Sequence, residues 1–287
     1  MGVDAGQGNS LTLAPHRGRE RAENFPVALR LLPRQVRAHL HAVYAVARLI
    51  DDTGDDQDQS PAQRLARLGD LEADLLRIWV GQVPAAPAFR SLVPVVAGCG
   101  LAAEPFVQLI AANRLDQTVT SYETYDDLLA YCALSANPIG RIVLAIAGSN
   151  DRVNSTLSDY VCTALQILEH CQDAGEDWRL RGRAYLPQQD MEPFGVTAFA
   201  FEAPYAGPGV RALVEFETER AAGLLSAGVP LVGRLRGWAR RAVAGYVAGG
   251  FATIDALARA RYDVLADAVR PRPVDVARHA IRLLVRR

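Results

Sequence analysis

Apolar residues recur at intervals of three and four along nearly the whole chain, and this constrains the fold more than any single motif does. From Glu23 onward the period is set by Leu29, Leu32, Val36, Leu40, Val43, Ala47 and Ile50, positions that a 3.6-residue helix gathers on one face. The same spacing returns over residues 61–80, 104–118, 126–134, 138–147 and 155–178, then over 209–228, 231–249, 253–268 and 274–286. Short alternating runs are scarce, and no Asn-Gly or Asp-Gly pair marks a hairpin. The chain therefore reads as all-α, about ten helices around a shared core, broken where proline and glycine cluster near 81–87, 203–209 and 271–273. With 287 residues, half of them hydrophobic, it is expected to fold as one domain over 23–287, the loose polar residues 1–22 being disordered.

Charge narrows the function. The 31 basic residues against 32 acidic ones give a net charge of -1, which offers no footprint for nucleic acid. All 31 are arginine, so chemistry that needs a lysine Schiff base or a P-loop lysine is excluded. Cys99, Cys132, Cys162 and Cys171 show no CxxC spacing, which argues against a zinc site and a disulfide framework. No signal-peptide core and no long uncharged apolar run stand out. A cytoplasmic location is expected, with room for peripheral contact at the inner face of the membrane, where an apolar product would leave.

Three constellations carry chemistry. The first, Arg48-Leu-Ile-Asp51-Asp52-Thr-Gly-Asp55-Asp56, ends an apolar helix. Residues four apart share a face, so Asp51 meets Asp55 and Asp52 meets Asp56 in like-charge pairs, and the negative end of the helix dipole aggravates both. A hard cation such as Mg²⁺, held by one or two carboxylates plus phosphate oxygens, would offset them. A solvated acidic loop is the plain alternative. The second places Gln166, Glu169, Asp173 and Asp177 on one stripe of the long helix, flanked by Val161, Leu165, Leu168 and Trp178, so the stripe is expected to face an internal cavity. An acidic solvent face is its alternative. Asp51 and Asp173 lie 122 residues apart; two helices offering DxxxD to one cavity would cage divalent ions, and such ions bridge phosphate oxygens. The third, Arg181-Gly-Arg183-Ala-Tyr185, offers guanidinium forks matched to diphosphate and one hydroxyl. His39, His41 and His170 have no partner at metal-ligand spacing, Tyr44 and Phe25 read as core, and Ser135 has no nucleophile context.

These stretches resemble the squalene and phytoene synthase family of isoprenoid synthases. The likeness runs through ENFPVALRLLP (23–33), YAVARLIDDTGDD (44–56), YCALSANPIGR (131–141) and ALQILEHCQDAGEDWRLRGRAYLP (164–187). It implies a helical bundle with a central apolar tunnel capped by the two acidic motifs. With it, the metal ligands would be Asp51, Asp52, Asp55, Glu169, Asp173 and Asp177, binding Mg²⁺; Arg48, Arg181 and Arg183 would contact diphosphate, and Tyr44, Gln166 and Tyr185 would line the reaction end. Glu169 departs from the asparagine most relatives carry there. The entry segment, SANPIGR and Gln172-Asp173 lean toward the hydroxysqualene synthase branch of hopanoid biosynthesis. That branch implies presqualene diphosphate as substrate and water as the captor of its cation, with no hydride donor. Condensation of two prenyl diphosphates and a non-catalytic lipid carrier are the rival readings, and the oligomeric state stays open.

Overall fold

The computed structural model describes residues 32–285, so residues 1–22 and most of the 23–33 stretch lie outside the described residues. The element that places everything else is the helix α7 (Arg152–Arg181). Asp151 accepts the Asn154 N–H at 3.0 Å and so satisfies one of the amide donors a helix start leaves open. Gly182, at φ 63°, ends the helix in the left-handed region that glycine occupies at no steric cost. The predicted 155–178 segment thus gains one turn or less at each end.

On one flank α1 (Arg34–Gly54), α2 (Pro61–Leu76), α3 (Pro87–Cys99) and α4 (Glu104–Leu115) share an apolar cluster that includes Val46, Ile50, Leu68, Leu75, Phe89, Leu92, Phe106 and Ile110. Behind α7, a second cluster joins α5 (Tyr125–Ser135) to α9 (Pro208–Gly228) through Leu128, Ile167, Leu168, Leu213 and Val214. A third unites α6 (Asn137–Ile146) with α7, α9, α10 (Pro230–Arg234) and α11 (Gly237–Arg259) through Leu144, Val161, Leu225, Leu231 and Val243. The short α8 (Gln188–Met191) follows the arginine loop, and α12 (Pro273–Val285) packs on α11. Each fully buried side chain of this size contributes roughly 1.5–3 kcal/mol. No strand forms among the described residues; one isolated bridge pairs Ser121 with Ala184.

The helical reading holds, with two corrections. Helix α3 is absent from the expected set because its residues are apolar almost all round and Pro94 sits inside it; burial of Phe89, Leu92 and Val95 outweighs the proline. The predicted pair 231–249 and 253–268 is instead the short α10 followed by α11, which runs unbroken through Gly249-Gly250. A Cβ at Gly250 would come within 2.8 Å of Leu225 and 2.9 Å of Leu165, so this glycine permits close packing and does not end a helix. Residues 260–268 leave the helix where Arg261 and Tyr262 adopt φ 52° and 56°. Tyr125–Ile146 contains a window of mean hydropathy 1.5 with the length of a membrane span, interrupted by Arg141. It is divided between α5 and α6, whose Leu128, Cys132, Ile142 and Leu144 are buried in the core.

Candidate active site

The C-terminal end of α1 and one stripe of α7 bring their acids to a single polar cavity of about 300 Å³. Helix α4 holds the α1 end in place. Asn113 Nδ2 donates to Asp51 Oδ1 at 3.1 Å, and Gln117 Nε2 donates to the Gly54 carbonyl at 3.0 Å, one of the acceptors a helix terminus leaves unpaired. Any Cβ on Gly54 would collide with the Asn113 amide, which is why the two helices can approach so closely here. Asp55, the first residue past the helix, turns toward the arginine loop: Arg183 Nη1 lies 3.3 Å from its Oδ1 and Arg181 Nη2 3.5 Å from its Oδ2. Arg181 also pairs with Asp177 at 3.1 Å. These two guanidiniums supply part of the positive charge that the like-charge argument demands, and they tie the first motif to the second.

The cavity gathers Asp51, Asp55, Gln166, Glu169, Asp173, Asp177, Arg181, Arg183 and Tyr185 from the predicted set. Asp52 does not join them. It lies beyond the cavity lining, 43% exposed and paired with Arg48 at 2.8 Å, because one residue along a helix rotates a side chain by about 100°. Arg48 and Tyr44 line the neighbouring apolar cavity instead.

Burial sets the protonation of these groups. It pushes the Asp177 carboxyl up to about 7; Asp173 and Glu176 add to the rise, and Arg181 and Arg183 oppose it. Burial and then Glu176 raise Asp173, against Arg181 and Arg270. Burial also drives His170 down to about 3, so its imidazole is neutral; it stacks on Tyr185 with ring centroids 4.0 Å apart.

Asp116 was not singled out in the sequence. Its Oδ1 accepts from Tyr185 Oη at 3.1 Å and its Oδ2 from Tyr131 Oη at 3.0 Å, while Arg183 Nη1 stands 3.9 Å away. Burial raises its pKa, with Asp55 adding to the effect, while Arg183 and the two tyrosines counter it. An acid at the C-cap of α4 meets the same unfavourable dipole end as Asp51 and Asp55, and that signal would have found it. The loop itself is held by backbone bonds from Ala184 N–H to Thr120 O at 2.8 Å and from Gln188 N–H to Tyr122 O at 2.9 Å.

A second cavity, about 340 Å³, runs between α1, α6, α7, α10 and α11, with Leu40, Val43, Ile139, Val143, Val161, Leu165, Leu231 and Val243 in its wall. Asp51, Leu109, Ser135, Gln166 and Glu169 line both cavities, so the apolar space begins where the acidic one ends. Among the described residues no three Asp, Glu, His or Cys groups converge closely enough to hold a metal by themselves. An all-oxygen set that leaves positions open suits a hard cation that keeps water and takes phosphate oxygens, so the residues fit Mg²⁺ bound together with a diphosphate.

Comparison with known proteins gives the family. A family profile described as squalene/phytoene synthase matches residues 19–278. The hydroxysqualene synthase of Zymomonas mobilis is 34% identical over 217 residues, 76% of this chain and 72% of that protein. The phytoene synthase of Mycobacterium bovis is 32% identical over 227 residues, covering 76% and 71%. Among solved structures, squalene synthase HpnC from Alicyclobacillus acidocaldarius superposes with a TM-score of 0.77 at 40% identity, covering 85% of this chain and 91% of that one.

Proposed function

The chain belongs to the squalene/phytoene synthase family, a family of isoprenoid synthases, and on that premise we propose that it converts presqualene diphosphate and water to hydroxysqualene and diphosphate. The observation that carries this reading is the junction of an apolar cavity with an acidic one: a substrate with a hydrocarbon body and a diphosphate head needs both, end to end. The similarity to the hydroxysqualene synthase of Zymomonas mobilis and to HpnC supports the choice of reaction.

Asp51, Asp55, Glu169, Asp173 and Asp177 would hold Mg²⁺, which neutralises charge on a leaving diphosphate when bound. Arg181 and Arg183 reach the same space with fixed donor forks, and Tyr185, oriented by Asp116, offers a hydroxyl beside them. Departure of diphosphate with the C–O bonding pair leaves a cyclopropylcarbinyl cation, which rearranges to an allylic cation. The apolar wall keeps bulk water away until that rearrangement is complete. A water molecule then forms the new C–O bond and gives up a proton.

Incubation of the purified enzyme with presqualene diphosphate and MgCl₂ in ¹⁸O-labelled water tests this. The label is expected in a C30 alcohol, and NADPH is expected to leave the products unchanged. The similarity to a phytoene synthase favours one rival, condensation of two prenyl diphosphates; consumption of farnesyl diphosphate while presqualene diphosphate stays inert would establish it.

A further inference from the structure

We propose that the Ser135 hydroxyl holds the water that captures the substrate cation, an inference that rests on the hydroxysqualene reading. Ser135 is the last residue of α5, at the break before α6. It is one of five residues that line both the apolar and the acidic cavity. Its Oγ is buried and has no hydrogen-bond partner.

That last fact is unusual for a helical hydroxyl in this chain. Thr53, Thr156, Thr218 and Ser226 each donate back to the carbonyl four residues earlier, at 2.8, 3.0, 2.6 and 2.7 Å, the ordinary way for serine and threonine to satisfy themselves within a helix. Ser135 makes no such bond. A buried hydroxyl left unpaired is costly, and a single water in the adjoining cavity would remove the cost.

A bound water needs more than one polar partner, and the same junction supplies a second. Gln166 donates through Nε2 to the Nε2 of His170 at 3.3 Å, an acceptance that a neutral imidazole can make. With one amide N–H so engaged, the Gln166 carbonyl oxygen and its second N–H remain to meet a water, and Gln166 lines both cavities as well. Asp51 and Glu169 bring carboxylates to the same junction, whereas Ala136, Ile139 and Leu165 on its apolar side offer no side-chain polar atom. The position suits the reaction. A water held there would sit between the hydrocarbon body and the diphosphate head, beside the carbons on which the departing diphosphate leaves its positive charge.

The capturing step balances without a further reagent. The C–O bond to diphosphate breaks with its electron pair on oxygen. A lone pair of the water forms the new C–O bond at the allylic carbon, and the proton released passes to the freed diphosphate in the adjoining cavity. Where no water is held, the same cation loses a proton from carbon and gives a hydrocarbon.

The experiment measures the alcohol-to-hydrocarbon ratio and diphosphate release from presqualene diphosphate, in ¹⁸O-labelled water, for the wild type, Ser135→Ala and Ser135→Thr. For Ser135→Ala the alcohol share is expected to fall about tenfold, the order of one well-placed hydrogen bond, with diphosphate release within about threefold of wild type. Ser135→Thr, which keeps a hydroxyl, is expected to keep the alcohol. An unchanged alcohol share in Ser135→Ala overturns the inference and leaves the reading of the reaction standing. So does loss of diphosphate release in a folded Ser135→Ala, which would place Ser135 in ionisation. If the wild type itself makes no alcohol, the reading of the reaction fails first and the inference goes with it.

Discussion

Arg183 divides one guanidinium among three oxygens, with Nη1 3.3 Å from Asp55, 3.4 Å from Tyr185 Oη and 3.9 Å from Asp116. An ammonium on a flexible stem cannot reproduce a planar fork aimed at carboxylates and a phosphate together. Arg183→Lys is therefore expected to lower kcat at least about tenfold with little change in thermal stability; wild-type kinetics would return the loop to a structural role. Asp177 makes the complementary prediction. Its carboxyl, pushed up to about 7 by burial and its acidic neighbours, binds a proton more tightly in the folded than in the unfolded chain. Between the unfolded value of 3.8 and about 7 the folded state holds the extra proton, so this group's contribution to stability is full below the lower value and is lost as pH rises through the upper one. The penalty at pH 8 is at most roughly 4 kcal/mol. Asp177→Asn should melt higher than wild type at pH 8, by a smaller margin at pH 5, and level with it only below about pH 4, in buffer without divalent ions. A pH-independent difference in Tm would refute the assignment.

At the scale of elements, α7 is held against α9 by glycine. A Cβ on Gly228 would come within 3.0 Å of the Leu157 carbonyl and 3.2 Å of the Val161 amide, backbone atoms that cannot swing aside. Helix propensity alone favours alanine over glycine by about 1 kcal/mol, whereas overpacking costs about 1–3 kcal/mol. Gly228→Ala is accordingly expected to lower Tm, and an increase would mean that propensity decides at this contact. The same physics explains which elements were legible in the sequence. In helices α1, α2 and α12 apolar and polar residues segregate to opposite faces, so their period shows. Helix α3 buries Phe89, Leu92 and Val95 at steps of three, but it is short, mostly apolar and carries Pro94, which reads as a break in one dimension. Gly249-Gly250 looks like a breaker in one dimension because the leucines it accommodates, Leu165 and Leu225, are remote in sequence. Both acidic motifs were visible because charge at helical spacing is local information. Asp116 was legible only as one more acid at a helix end, and Tyr131 and the unpaired hydroxyl of Ser135 were not legible at all, since their meaning lies in partners that only the packed helices bring close or withhold.

For the molecule as a whole, a net charge of -1 conceals a strong local imbalance: seven carboxylates, Asp51, Asp55, Asp116, Glu169, Asp173, Glu176 and Asp177, line one cavity with two arginines. Burial makes this arrangement costly once the acids ionise, and the energy is recovered by whatever cation binds the folded chain and not the unfolded one. No three of these groups converge on a point, so Mg²⁺ alone has too few protein ligands, and diphosphate alone meets more negative than positive charge. Each completes the site for the other. Thermal melting at pH 8 should therefore show a small shift with MgCl₂, little or none with inorganic diphosphate, and a shift with both that exceeds the sum of the two. At pH 6 the joint shift should shrink, because protons on Asp177 compete with the metal there. Asp173→Asn should abolish the synergy while melting no lower than wild type in buffer alone, since it removes a buried carboxyl whose charged form is disfavoured. A purely additive response, or an undiminished synergy in Asp173→Asn, would mean that the cavity does not bind the two ions together.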